Sequence, residues 1–243
     1  MGLTIHYNLK FRGEQREARQ VIDQLRSRAR DLPFAKVSDV VELSGADCAY
    51  EQRGRDDPLR WLIIQSGQYL ELPPKGNAHF HAHVPPTHLI AFETIPGEGS
   101  EPANFGLCKY PATIDVNENR HPDGHVKRRT GLSGWRWGSF CKTQYASNKE
   151  CGGVQNFLKC HLAVIRLLDR AKELGILEHV SDEGDYWEKR DIPSLAKEVG
   201  EWNDMLANFV GQLKDLLGDG IEAPIAKFPD FEHLEARGRS SST

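Results

Sequence analysis

The sequence lacks the short motifs by which many enzymes and nucleic-acid-binding proteins are identified. It contains no nucleophile elbow with a Ser-His-Asp order, no P-loop, no dinucleotide-binding fingerprint, no zinc-protease helix and no helix-turn-helix. Its five cysteines form no C-x-x-C pair. Because their number is odd and the sequence shows no export signal, we expect reduced cytoplasmic thiols.

The patterns of membrane insertion and secretion are also missing. No apolar run is long enough to span a bilayer, and the first residues do not show the basic-then-apolar order of a signal peptide. A formal net charge of −4 gives no general electrostatic attraction to nucleic acid or to anionic membranes. We therefore expect a soluble cytoplasmic protein, monomer or dimer, whose partner is a small molecule or a protein.

The most informative stretch runs from Gly134 to Asp191. Its first part, Arg136–Ala146, carries aromatic and small residues suited to a strand. Apolar residues then recur at helical spacing and predict a long helix: Val154, Phe157, Leu158, Leu162, Val164, Ile165, Leu168 and Ala171. We expect Gly175 to end this helix in the left-handed conformation, and Ile176–Val180 to form the next strand.

The N-terminal part has the same order of elements. Leu3–Phe11 alternates between apolar and polar residues, which predicts a half-buried strand. A helix is predicted from about Glu14 to Arg30, followed by a strand within Val37–Leu43. Two strand–helix–strand units predict an α+β fold: a split βαβ, ferredoxin-like antiparallel sheet with both helices on one face.

A long insertion is predicted between the two units. Trp61–Gln65, Tyr69–Leu72, His88–Ile95 and Asn104–Tyr110 have the composition of short strands, whereas 117–130 is a polar, basic stretch predicted as a loop. The assignment is a single α+β domain at 1–235, with a first βαβ unit at 3–43, a β-rich insertion at 44–133, a second βαβ unit at 134–183 and a C-terminal helix at 191–217, before a disordered tail at 236–243.

Alternating histidines give one candidate metal site. His79, His81 and His83 lie on one face of an extended segment, with neighbours about 6.5–7 Å apart. Two such imidazoles can bind one divalent metal ion, zinc or manganese, with His88 or Glu93 as a third ligand. The alternative is an exposed polar face of an edge strand flanked by prolines, which is favoured.

An acidic loop follows the last predicted strand. Its carboxylates can hold a hard cation or act as acid and base: Asp182, Glu183, Asp185 and Glu188. Glu183 and Asp185 are the catalytic candidates. The favoured alternative is that the loop caps the next helix and increases solubility, with Asp191 as N-cap. Trp187 is expected to pack, and is kept as a binding candidate.

A polar set on the sheet gives the third candidate site. In the split βαβ arrangement, His6 and Asn8 share the sheet face opposite the helices with Lys142 and Gln144. These four form a small-ligand pocket if the insertion folds over them, with Lys142 as a catalytic candidate; an ordinary polar sheet face is the favoured alternative. His161 lies in the apolar stripe of the long helix and is expected to be buried, with one hydrogen-bond partner.

Three functions remain open. A ligand-binding or protein-interaction module is preferred, because no catalytic signature is present. The alternative is a metal-dependent hydrolase that uses His79 and His81 with the acidic loop at Asp182–Asp185, where the metal lowers the pKa of a bound water. Nucleic-acid binding through Lys127–Arg129 is third, because the chain carries a net negative charge.

Overall fold

The computed structural model describes residues 3–50, 54–75, 78–117 and 125–200. The strands are β1 (Thr4–Phe11), β2 (Lys36–Val37), β3 (Val41–Ser44), β4 (Gln68–Lys75), β5 (Ala78–Val84), β6 (His88–Ile95), β7 (Ala103–Lys109), β8 (Thr113–Asn117), β9 (His125–Arg129), β10 (Trp135–Lys142) and β11 (Leu177–Asp182). The helices are α1 (Gln15–Arg30), α2 (Arg60–Ser66), α3 (Gly153–Glu173) and the single turn α4 (Tyr186–Lys189), and residues 192–200 are also helical.

Seven strands form one antiparallel sheet. Their order is β11-β1-β10-β7-β6-β2. Strand β3 also pairs with β6, at His88–Ala91, whereas β2 pairs with β6 at Thr94 and Ile95. Strand β1 pairs with β10 from Thr4 opposite Lys142 to Phe11 opposite Trp135. The predicted α+β class is therefore confirmed, and the strand predicted at Leu3–Phe11 is a neighbour of the strand predicted within Arg136–Ala146. Two separate hairpins, β4–β5 and β8–β9, complete the described strands.

Strands β6 and β7 lie between β10 and the edge, so part of the segment assigned to an insertion is built into the sheet. The physical reason is visible in their burial, since Leu89, Ile90, Ala91 and Phe92 are all fully buried. A strand that is apolar on both faces needs cover on both sides and belongs in the middle of a sheet. The sheet is wider than the four strands of a ferredoxin-like unit.

Helices α1 and α3 pack against each other, and α1 packs on β6 and β7. The face of α1 toward the sheet consists of Ala18, Ile22, Leu25 and Ala29, all fully buried. On the sheet, Tyr7 stacks on Phe105 at a centroid distance of 4.9 Å, and Phe105 lies 5.9 Å from Phe92. The main core lies between these helices and this sheet face.

The short helix α2 corrects the strand predicted at Trp61–Gln65. Leu62, Ile63 and Ser66 are buried, a spacing of one and four that fits one face of a helix. The carboxylate of Asp57 accepts the backbone N–H of Leu59 at 2.8 Å just before the helix begins. Strand and helix are hard to distinguish in a short apolar run, and here burial against β6 and β10 favours the helix.

Two further boundaries differ from the prediction. Strand β10 ends at Lys142, so Gln144 lies in a 3₁₀ turn at Gln144–Ser147 and not on the strand. The basic residues Lys127–Arg129 belong to strand β9, not to a loop. Strand β9 forms because its backbone pairs with that of β8. Strand β10 ends at Lys142 because the chain turns away from β1 after that residue.

The helix ends agree with the prediction. Gly175 has φ of 71°, its N–H bonds to the Lys172 carbonyl, and the Ile176 N–H bonds to the Ala171 carbonyl, which is the Schellman arrangement. Asp191 accepts the Ser194 N–H at 3.3 Å at the start of the 192–200 helix. The remainder of the predicted helix 191–217 and the tail at 236–243 lie outside the described residues.

None of the described helices combines the length and apolar character that a membrane span requires.

Candidate functional site

A cleft of about 460 Å³ lies between α2 and the sheet face opposite to α1. Glu93 and Asn104 line it, and they alternate along their strands with Phe92 and Phe105, whose side chains face the main core. The described residues that line it are Pro58, Trp61, Ile64, Gln65, Glu93, Glu101, Pro102, Asn104 and Phe140. Its volume falls within the range of small-molecule sites.

The cleft exists because two strands separate beneath it. Strands β7 and β10 share one backbone pair, Arg136 opposite Cys108. Further along β7, the carbonyl of Asn104 accepts hydrogen bonds from the Tyr7 hydroxyl at 2.7 Å and the Trp137 indole N–H at 2.8 Å. Side chains thus replace a missing backbone ladder, and the resulting opening is filled from the other side by α2.

A short chain of amides forms the polar base of the cleft. The side-chain N–H of Asn104 donates to Gln65 at 2.6 Å, and Gln65 donates to the Ser139 hydroxyl at 2.7 Å. Oxygen and nitrogen are assigned here from these partners. Asn104 is only 6% exposed, and its Oδ1 is buried without a hydrogen-bond partner. Such groups are rare in folded proteins, because each costs about 1–3 kcal/mol.

The walls are apolar and the charges are negative. Trp61 is 74% exposed and Phe140 is 47% exposed, which is high for large aromatic side chains. Among the described lining residues, the charged side chains are those of Glu93 and Glu101. The arrangement therefore combines an aromatic surface with hydrogen-bond acceptors.

Three of the four residues of the predicted polar pocket, His6, Asn8 and Lys142, lie on the same sheet face as Phe140. The exposed His6 ring lies 5.8 Å from the Phe140 ring, and Asn8 lies beside Gly138 on the same sheet face. The ammonium of Lys142 lies over the Tyr145 ring at 5.0 Å. Gln144 is buried in its turn and does not belong to the set.

The predicted metal ligands are placed on different sheets. His81 is exposed on the β4–β5 hairpin, opposite Glu71. His88 lies on β6 in the large sheet, where its Nε2 is 3.2 Å from a carboxylate oxygen of Glu42. The His79 side chain lies outside the described residues. Across the described part of the chain, no group of three or more His, Cys, Asp or Glu residues is arranged to bind a metal, and the hydrolase hypothesis stays a prediction.

The acidic loop is occupied by contacts within the protein. One carboxylate oxygen of Glu183 accepts the backbone N–H of Thr4 at 3.0 Å. Asp185 pairs with Lys189 at 2.7 Å. The Trp187 ring lies 4.5 Å from the guanidinium of Arg190. These contacts support the packing and capping alternative for Glu183, Asp185 and Trp187.

A buried polar network joins β10, α3 and β11. The Thr143 hydroxyl lies 2.9 Å from His161 Nδ1, and His161 Nε2 lies 3.1 Å from Asp182 Oδ2. Asp182 also accepts the backbone N–H groups of Gly184 and Trp187, each at 2.9 Å. An ionised carboxylate only accepts, so Nε2 carries a proton and, in the neutral ring, Thr143 donates to Nδ1. His161 is buried as predicted, with two partners instead of one.

The network resembles a nucleophile–base–acid triad in its distances, but not in its accessibility. Thr143 and His161 are fully buried, and Asp182 is 6% exposed, so a substrate has no approach to the hydroxyl. Burial by itself raises the pKa of Asp182. The hydrogen bond and attraction of His161, with the two backbone N–H groups, outweigh this and hold the pKa below its ordinary value of 3.8. The network is therefore a stabilising element.

Comparison with protein-family models, curated proteins and solved structures finds no match for this chain.

A second hollow, of about 630 Å³, lies between α1 and α3 on the outer surface. Its lining mixes both signs of charge, and its ion pairs are internal, such as Arg170 with Glu173 at 2.9 Å. Ligand sites are mostly apolar with a few convergent polar groups. The cleft beside α2 has that character and this groove does not.

Of the residues that line the cleft, the sequence singles out Glu93, as a candidate metal ligand, but not Trp61, Gln65 or Asn104 as site residues. The strand predicted at Trp61–Gln65 gives no reason to expect an exposed Trp61. On α2, Trp61 lies away from the buried face formed by Leu62, Ile63 and Ser66. Asn104 interrupts a strand whose other residues from Ala103 to Cys108 are apolar or glycine. A polar residue within a buried strand is the signal by which Asn104 could have been recognised, although not its place in the cleft.

The unfolding free energy of the protein is expected to fall as the pH is lowered below about 4. A carboxyl whose folded pKa is lowered contributes stability that is complete above its ordinary value of 3.8 and is lost as the pH falls through the folded value. Each unit of lowering corresponds to about 1.4 kcal/mol. Urea unfolding between about pH 2 and 6 should show the native protein and Asp182→Asn converging at low pH. A difference that stayed constant with pH would contradict this assignment.

Proposed function

We propose that this chain is a ligand-binding module and that the cleft beside α2 binds a small molecule. The observation that carries the proposal is the buried Asn104 side chain, whose Oδ1 has no partner at the base of a cleft with exposed aromatic walls. A ligand that donates a hydrogen bond there, or that lets the amide reorient, removes a cost that the free protein bears.

The aromatic walls support the same proposal. Trp61 and Phe140 expose large apolar surfaces in one concave region. Burial of apolar area by a ligand contributes about 25 cal/mol for each Å² removed from water. His6, which contacts Phe140, lies where it can extend the site along the sheet.

Fragments from a chemically mixed library are expected to shift the NMR signals of the Trp61 indole N–H and of the Gln65 and Asn104 side-chain amides. Replacing Trp61 with alanine should weaken the binding of these fragments by about tenfold or more, because it removes most of one wall. Tyr69→Ala is the matched control, since Tyr69 is equally exposed at 74% but lies outside the cleft lining.

Two results would contradict the proposal. One is a library screen in which no fragment shifts the three cleft signals. The other is fragment binding that Tyr69→Ala weakens as much as Trp61→Ala does.

We further propose that the fold is an enlarged split βαβ sandwich. The β10–α3–β11 unit with β1 between its strands supports this description, as does α1 leading from β1 to the far edge of the sheet. A crystal structure in which β11 did not border β1 would contradict it.

A further inference from the structure

We infer that the ligand of the cleft is an organic cation: an aromatic or apolar body that carries a protonated amine. This inference rests on the proposed function, because it names the chemistry of the ligand for the same site. It follows from the sign of the charges in the cleft, from their partners and from the aromatic walls.

Glu101 has a carboxylate that no cationic side chain of the described residues neutralises. One of its oxygens accepts the backbone N–H of Lys142 at 3.3 Å, and its own N–H donates to the Lys142 carbonyl at 2.9 Å. The Cys141 thiol donates to the Glu101 carbonyl at 3.2 Å. The residue is thus fixed on both sides of its Cα, while the nearby ammonium of Lys142 lies over Tyr145.

Glu93 supplies the second negative charge. Its partner is Lys36, at 3.2 Å, and the Lys36 side chain is 59% exposed. Exposed pairs of this kind contribute little to stability. A ligand cation can therefore replace Lys36, or share the Glu93 carboxylate with it. Since neither Lys nor Arg is among the described residues that line the cleft, an anionic ligand meets repulsion from the two carboxylates and no compensating cation among them.

The walls favour the same ligand. A cation within about 6 Å of an aromatic ring is attracted to the ring face, most strongly for tryptophan. Trp61 and Phe140 present such rings in the same cleft as the two carboxylates. A bare metal ion would gain nothing from Trp61, Ile64 and Pro102, whereas an arylalkyl amine uses both the apolar walls and the acceptors.

Three probes that share an aromatic group, and that are positively charged, neutral and negatively charged, test the inference. Phenethylammonium, 2-phenylethanol and phenylacetate share an aromatic ring and a short chain, and their affinities are measured by NMR titration of the full chain. We expect the cation to bind at least tenfold more tightly than the anion, with the alcohol between them. Raising the salt concentration should weaken binding of the cation.

Charge-removing variants locate the interaction. Glu101→Gln should lower the affinity for phenethylammonium about tenfold and leave the affinity for the alcohol unchanged; Glu93→Gln should have a smaller effect in the same direction. Glu98→Gln is the matched control, because it removes an equal charge from the same loop at a position outside the lining. Thermal unfolding midpoints of all three variants establish that they fold.

The outcomes separate this inference from the proposed function. Equal binding of all three probes, lost in Trp61→Ala, would overturn the cation inference and keep the ligand site. A loss of affinity in Glu98→Gln equal to that in Glu101→Gln would also overturn it. Absence of binding by these probes and by every library fragment would overturn both. A blocked lysine peptide that bound more tightly than phenethylammonium would replace the small molecule by a protein partner.

Discussion

Replacing Asp182 with alanine is expected to lower the unfolding free energy by about 3–5 kcal/mol, the cost of removing one partner from a buried polar pair. The carboxylate accepts from His161 and from the backbone N–H groups of Gly184 and Trp187. Without it, three donors lose their acceptor in a largely buried region, and each unsatisfied buried group costs about 1–3 kcal/mol. Urea titration followed by circular dichroism measures the change.

Asp169→Ala is the control for this substitution. Asp169 also makes an ion pair, with Arg190 at 2.8 Å, but both side chains are about 40% exposed. Its loss should cost no more than about 1 kcal/mol. Similar costs for the two variants would mean that Asp182 is open to water and that the network does not hold the fold together.

The network also bears on the cleft. Thr143 follows Lys142, whose backbone fixes Glu101 on both sides. The hydroxyl of Thr143 is held by His161, so the end of β10 is anchored from the interior while its other side carries a cleft residue. This connection explains why a rigid, inaccessible network and an open site lie so close together on one strand.

The elements with strong local periodicity were predictable from the sequence. The alternation in Leu3–Phe11 and the helical stripe ending at Gly175 specify β1 and α3 without knowledge of the rest of the chain. The five residues of Trp61–Gln65 span little more than one helical turn, which is too short for either period to show. The place of β6 and β7 inside the sheet depends on which strands pair with them, and a local sequence pattern does not indicate this.

The cleft was out of reach of sequence reasoning for the same reason. Gln65 meets Asn104 across 39 positions and Ser139 across 74. The acceptor that lacks a partner is defined only once β7 and β10 have separated and α2 has packed over the opening. By contrast, the burial of His161 followed from the helix alone, and only its second partner required the fold.

Replacing Trp137 with alanine is the other substitution with a large expected effect, a loss of about 3–5 kcal/mol in unfolding free energy. Trp137 is 1% exposed, and its indole N–H donates to the Asn104 carbonyl. The variant leaves a cavity between β1 and β7 and removes one of the two bonds that replace the missing ladder. Trp61→Ala, at a 74% exposed position, should change stability by no more than about 0.5 kcal/mol.

A milder variant at the same position separates the packing of the ring in the core from the positioning of Asn104 by the indole N–H. Trp137→Phe keeps an aromatic ring in the core, and the Asn104 carbonyl keeps its bond from Tyr7 at 2.7 Å. The variant loses one hydrogen bond and leaves a smaller void than alanine does, so its cost should be about 1–3 kcal/mol, below that of Trp137→Ala. If Trp137→Ala cost no more than Trp61→Ala, the described core would be wrong. If Trp137→Phe folded normally but lost the fragments that contact Asn104, the indole N–H would be shown to hold that strand in its binding geometry.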